Sequence, residues 1–249
     1  MRKLFLLLIC FVLLAFVSST SGFIFVRGKG PAAGGGNAIS FVAHAKSTTT
    51  GNSASISIPM PSGTQDGDLM LAIIVSDHTA TPWVKPDSGG NGTWTLLSNP
   101  SHAGNGMGVG AWYCIADTET GPYVWSSMGE DENAGQILTF EKSSGSWVEP
   151  ETEDTHWSYN EVNPSATIAV SSVTVLNLDF LVLGFLTDGS SGIDTAPSGY
   201  TVTELWTNGG VGMVAYYKEE TAGAKTPQLV WDASDENSAY AIRISIGAQ

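Results

Sequence analysis

The pattern that most constrains this chain is that it can be laid over itself. "SASISIP" (53–59) matches "SATIAVS" (165–171), and "DLMLAIIVSD" (68–77) matches "DFLVLGFLTD" (179–188), with Asp at both ends of each. "TWTLL" (93–97) matches "GYTVTELW" (199–206), and "GVGAWYCIA" (108–116) matches "GMVAYYKEE" (212–220). "YVWSS" matches "LVWDA", setting Trp125 against Trp231, and "DENAGQILTFE" matches "DENSAYAIRIS". Six segments recur in one order, which points to an internal duplication, and two copies are too few for a solenoid.

Each segment reads as strand: short, rich in Val, Ile, Thr and aromatics, and bounded by Gly, Pro, Asn or Asp. Leu138 and Phe140 alternate with Thr139 and Glu141, as Ile242 and Ile244 alternate with Arg243 and Ser245, so one face of each is expected on a core. Leu69–Val75 and Phe180–Leu186 are apolar on both faces and are expected to be central strands with both faces covered. With 29 Gly, 11 Pro and 42% hydrophobic residues, the composition suits a turn-rich all-β domain. The expectation is a twelve-strand, jelly-roll-like β-sandwich of two pseudo-symmetric six-strand repeats, 53–142 and 165–246, within a domain spanning 39–249. Two small barrels on a string are the alternative. The connector 143–164 holds Trp147, Trp157 and Tyr159 and is expected to pack across the domain. The paired Asp-Glu-Asn triplets (131–133, 235–237) read as a duplicated structural turn, because Asp and Asn bond nearby backbone.

Residues 1–22 have a basic start, an apolar run from Leu4 to Val17 and a small-residue break, the layout of a secretory signal peptide cleaved near Ser21 or Gly22. If uncleaved, the apolar stretch reaches Val26 and becomes a membrane anchor. Residues 23–38 read as a Gly-rich tether. The domain is therefore expected to be secreted or on the cell surface. The formal net charge is −14 even with Arg2 and Lys3 of the leader included. That charge argues against nucleic acid as a partner, and against membrane binding by the mature domain unless the leader is retained. Cys10 lies in the leader, so Cys114 has no partner for an internal disulfide and is expected to be a buried thiol.

These strand and turn patterns resemble a known family. "PSGTQDGDL" leading into the long apolar strand, the "APSGYT" turn at 196–201 and the "AYYK" strand look like the two-repeat, jelly-roll-like β-sandwich module of phage structural and tail-fibre-like proteins and of secreted bacterial surface proteins. The resemblance covers about Ile39 to Ile246 and implies a non-catalytic role in display, assembly or attachment, with no active-site residues to carry over. The acidic connector, the Asp-Glu-Asn pair and the leader depart from it, and the leader favours a cell surface over a virion.

Candidate chemistry is sparse. Loop acids suit a hard cation such as Ca²⁺; "TDGSSGIDT" is the best single stretch, with Asp188 and Asp194 bracketing two glycines, and Asp77, Asp131, Glu132, Asp235 and Glu236 also lie in expected loops. No dedicated Ca²⁺-loop spacing occurs, so the expectation is no cofactor. His44, His78, His102 and His156 are too dispersed for zinc. There is no Gly-x-Ser-x-Gly, and nothing in the sequence sets a pair of carboxylates across a groove. Trp83, Trp94, Trp147 and Trp157 fall in or beside loops, where an exposed ring would stack on a sugar and a packed one would fill a sandwich edge. The expected function is a non-catalytic, exported structural or surface-display module for assembly or attachment. The alternatives are a carbohydrate-binding adhesion module and a self-assembling filament or virion subunit.

Overall fold

The computed structural model of the protein describes residues 39–78, 83–86, 89–98, 107–150, 158–170, 172–176, 179–189, 192–207 and 210–247; side chains at 50, 98, 158–165, 206, 233–236 and 247 are outside the description. The first half supplies β1 (Ile39–Ile58), β2 (Leu69–Ser76), β3 (Thr95–Ser98), β4 (Gly108–Ile115) and β5 (Tyr123–Lys142), hydrogen-bonded in the order β1-β5-β2-β4-β3. A short β6 (Ser146–Trp147) follows. The second half supplies β7 (Ser158–Ala169), β8 (Val173–Val175), β9 (Asp179–Asp188), β10 (Ile193–Thr195), β11 (Thr201–Val202), β12 (Trp206–Thr207), β13 (Val211–Glu220), β14 (Gly223–Lys225) and β15 (Gln228–Ile244), with β16 (Ile246–Gly247) at the end. Its main sheet runs β10-β15-β9-β13-β11, with β7 on β15 and β12 on β13. All pairings are antiparallel, and no helix occurs among the described residues.

The two sheets meet face to face in a β-sandwich. Leu69, Leu71, Ile73 and Val75 of β2 share one core with Phe180, Val182 and Leu186 of β9, joined by Val109, Leu138 and Phe140 on one side and Met213, Ile242 and Ile244 on the other. Phe41 stacks on Tyr217 at 4.3 Å, and Phe140 meets Phe180 edge-on at 5.8 Å, closing one end of this core. Ile73 and Gly184 approach closely between the sheets, where a Cβ built on Gly184 would lie 3.1 Å from Ile73 Cδ1.

The second apolar face of each central strand is covered by the chain itself. Met70, Ala72 and Ile74 of β2 form a separate core with Ile56, Ile58, Tyr123 and Trp125. Those four residues come from the far ends of β1 and β5, a long two-stranded ribbon that turns back over the sheet it belongs to. Gly135 lets it close, since a Cβ there would strike Ile58. On the other sheet Leu181, Leu183 and Phe185 are covered by Ile168, Val170, Val173, Leu229 and Trp231. Three apolar layers result, with each central strand shared between two of them. At about 1.5–3 kcal/mol per fully buried aliphatic side chain, this explains why β2 is apolar on both faces.

Three expectations change. Sixteen strand segments are present among the described residues, not twelve, because several edge pieces are two or three residues long and because "YVWSS" and "DENAGQILTFE" fuse into β5. Each sheet is built from one half of the chain, whereas a jelly roll interleaves the halves in both sheets. The Asp-Glu-Asn triplet is no turn: it lies inside β5, at the register shift where β1 and β5 bend. Buried Asn133 holds that shift, its Nδ2 donating to Ser53 O at 2.6 Å, Asp131 O at 3.0 Å and Thr49 Oγ1 at 3.2 Å. Asp235 and Asn237 occupy a register shift between β15 and β7 in the same way. The stretch expected as connector is structured at both ends: Trp147 pairs with Ile246, and β7 already begins at Ser158.

Candidate functional site

Of the tryptophans singled out for sugar stacking, Trp83 and Trp94 do not present faces. Trp83 and Trp94 are 6% and 2% exposed and belong to the outer core of the first sheet. Trp83 stacks on Trp112 at 5.9 Å, and Trp94 meets Trp125 and Tyr123 edge-on at 5.1 Å. The ends of β1 and β5 cover the apolar outer row of β2, and Trp83 and Trp94, from between β2 and β3, complete that cover. Half-buried Trp147 donates its indole N–H to Gly67 O at 2.8 Å, with Lys142 Nζ 5.2 Å from the ring centroid, so it braces the connector. Trp157 lies outside the described residues.

The acids are redistributed too. Asp188 ends β9, half-buried, and Asp194 lies exposed in β10, where Thr195 Oγ1 donates to it at 3.4 Å. The carboxylates that converge among the described residues are Asp77, Asp131 and Glu132, whose ligand atoms lie within 4.8 Å of one another. Asp131 also accepts the Glu132 N–H at 3.1 Å. Asp77 follows the end of β2 as Asp188 closes β9, and the side chains of Asp235 and Glu236 lie outside the description. Three carboxylates supply part of the six to eight oxygens that Ca²⁺ takes.

A seam of polar groups ties the sheets together. Buried Gln136 of β5 accepts from Thr203 Oγ1 at 2.9 Å and donates to Glu204 O at 3.1 Å. The Glu204 carboxylate bonds Lys46 Nζ at 2.6 Å and faces His44 Nε2 at 3.7 Å, and the Lys46 hydrogen bond holds its pKa below the ordinary carboxylate range.

The corner between β10, β11 and β14 forms a cavity of about 450 Å³ that sequence reasoning missed. Glu220, 7% exposed, lies at its wall. Its Oε1 accepts from Tyr200 OH at 2.8 Å and Lys218 Nζ at 3.1 Å, and its Oε2 faces Lys225 Nζ at 3.1 Å. Burial works to raise the Glu220 carboxyl, but the bonds from Tyr200, Lys218 and Lys225 outweigh it and its pKa is lowered. Burial, followed by the bond to Glu220, raises the Tyr200 hydroxyl. The available signal was the alignment of Tyr200 with Trp94 in the expected repeat, which sets an aromatic residue with a polar tip against an indole.

A corner of the first sheet beside Trp94 forms a smaller cavity, about 250 Å³. There Glu119 accepts the Gly92 N–H at 2.8 Å and the Tyr123 hydroxyl at 2.7 Å, while Lys85 Nζ donates to Trp94 O at 2.9 Å. Cys114 is buried beneath, its thiol pushed up to about 12 by burial, which makes it a packing group and not a nucleophile at neutral pH.

Glu220 gives a pH prediction with a definite sign. A carboxyl held below its ordinary pKa stabilises the fold above that ordinary value, and the contribution is lost as pH falls through the folded one. Glu220→Gln is therefore expected to cost about 1.5–3 kcal/mol at pH 7, the range for hydrogen bonds to a charged group. The gap to the wild type should narrow below pH 4.5, where the wild-type carboxyl takes up its proton. Thermal melts of both proteins from pH 7 to pH 3 read this, and a gap that stays constant would contradict it.

No protein-family model, curated protein or solved structure matches this chain. No helix among the described residues is long and apolar enough to cross a membrane, which leaves strand-built spans unaddressed.

Proposed function

We propose that the protein is a non-catalytic structural or surface-display module, exported by its first 22 residues and working through assembly or attachment. Its two sheets are copies of one duplicated unit. The observation that carries this reading is the common register of the two halves. Ile73 pairs with Ala111 as Gly184 pairs with Ala215, and Ser76 pairs with Asn133 as Thr187 pairs with Asn237. The turn into each central strand closes alike, with Asp68 Oδ2 accepting the Gln65 N–H and Asp179 Oδ2 the Leu176 N–H, both at 2.8 Å. What recurs in both copies is packing and turn chemistry: Trp125 and Trp231, Asp68 and Asp179, Asn133 and Asn237. The groups around them differ, Cys114 standing where the second copy has Lys218. Such a history favours a scaffold, and the resemblance to phage structural and secreted surface modules agrees with it.

A self-assembling variant of the same reading, a filament or virion subunit, draws support from the sheet edges. Leu96 on β3 and Val202 on β11 are equivalent in the repeat, and each is 48% exposed on a strand paired along one side only among the described residues. Electron imaging of native material, with sedimentation of the isolated protein across concentration, tests both. An array or surface coat supports display, an ordered polymer weakened by Leu96→Lys supports the subunit, and a freely diffusing monomer rejects both.

A further inference from the structure

We infer that the cavity beside Tyr200 and Glu220 binds a neutral saccharide. This deepens the attachment reading above, and rests on it, by naming the chemical class attached to. The cavity is a groove open to solvent whose volume of about 450 Å³ is of the size that admits a small molecule lying along it. Its wall is built before any ligand arrives: Tyr200 is half-buried against the outer core, its hydroxyl fixed on Glu220 and Lys218 Nζ 5.2 Å from its ring centroid. An aromatic group anchored this way offers the part of its surface left exposed at little cost in conformational entropy. Around it stand the exposed hydroxyls of Thr195 and Ser198 and the exposed carboxamide of Gln228, donors and acceptors spaced along an open rim.

Charge selects the ligand. The lining carries one negative group, Glu220, and one positive, Lys225, and they are paired with each other. Lys218, just outside the lining, bonds the same carboxylate, so the three charges engage one another and leave a net charge of +1, which a chain of net charge −14 opposes by repelling anions at longer range. A polyhydroxylated neutral molecule, with apolar C–H faces and many hydroxyls, matches aromatic wall and polar rim together.

The comparison between corners strengthens the assignment. Trp94 takes the place of Tyr200 in the first sheet and is almost wholly buried; Gly92 takes the place of Ser198, and a Cβ there would strike Cys114 and Glu119. Packing narrows that corner to about 250 Å³. The second is wider, and divergence between otherwise matched copies is where a function confined to one of them is expected.

The test is a glycan array probed with the intact protein, carrying neutral hexose and N-acetylhexosamine oligosaccharides alongside uronate and sialylated ones, followed by calorimetric titration of the best neutral oligosaccharide. Neutral glycans should be retained. Gln228→Ala, a change at an exposed position, should weaken binding about two- to tenfold, the loss of one hydrogen bond. Tyr200→Ala should abolish binding, and Asn91→Ala in the first corner should leave it unchanged. An empty array, a preference for the acidic glycans, or neutral binding that survives both Gln228→Ala and Tyr200→Ala would overturn the proposal. An empty array beside an ordered native coat removes the saccharide site and leaves the display reading standing. Glycan capture by a freely diffusing monomer does the reverse.

Discussion

Gly184→Ile is expected to destabilise the fold by about 1–3 kcal/mol, the usual cost of overpacking a filled core. The space is already taken: a Cβ on Gly184 would stand 3.1 and 3.3 Å from Ile73 Cδ1 and Cγ2, and the rest of an isoleucine would have to displace the opposing sheet. Ile73→Gly should cost about 2–5 kcal/mol, since it empties the same space from the other side and adds glycine's backbone entropy. The double exchange, Ile73→Gly with Gly184→Ile, restores one large and one small residue to the contact. It should be more stable than the sum of the single changes predicts by at least about 1 kcal/mol, within the range seen for touching residues. Urea denaturation of the four proteins measures this. The pair matters beyond its own contact because the two residues hold the same position in the proposed repeat. In the proposed duplication, a position that meets its own counterpart across the interface would lie on the two-fold axis relating the copies. Strict additivity would mean that the two side chains do not share this space.

The central strands were the legible part of this fold. Leu69–Val75 and Phe180–Leu186 are apolar at every position, and only a strand covered on both faces can be. What covers them was not legible. Period two says which side chains share a face, not which layer that face joins, and in β1 the row containing Ile56 and Ile58 gives no sign that its ribbon doubles back over its own sheet. The Asp-Glu-Asn triplet misled for a related reason. The local chemistry by which Asp and Asn close a turn also holds a register shift inside a continuous strand, and the difference lies in partners such as Thr49 and Ser53, far away in sequence. Tryptophans in a predicted loop carry the same ambiguity. Trp83 and Trp94 sit between strands in the chain and inside the core in space. The cavity at Glu220 was invisible because it is assembled from residues near 195–200 and 218–228 that meet only once β11 pairs with β13.

Trp125→Ala and Trp231→Ala are each expected to cost about 3–5 kcal/mol, the range for deleting a buried large aromatic side chain. Both indoles are almost wholly buried, each in the outer layer of its own sheet. Trp125 lies among three other rings, with Trp94 at 5.1 Å, Trp112 at 5.8 Å and Tyr123 at 6.5 Å, and aromatic pairs add about 0.5–1.5 kcal/mol beyond their buried area. Its loss should therefore fall at the upper end, and Trp125→Phe should recover part of it. Far-ultraviolet dichroism, tryptophan emission and urea midpoints read the stability change. A loss below about 1 kcal/mol would mean that the outer layers are loosely held. The form of the transition is as informative as its size. Neither tryptophan belongs to the core between the sheets, yet β2 contributes alternate side chains to that core and to the layer around Trp125. If β2 couples the layers, Trp125→Ala lowers the midpoint of the whole chain and every probe reports one coincident transition. If the layers are separable, indole emission from the first sheet changes at lower urea than the loss of strand signal, and the two halves behave as neighbours that merely touch.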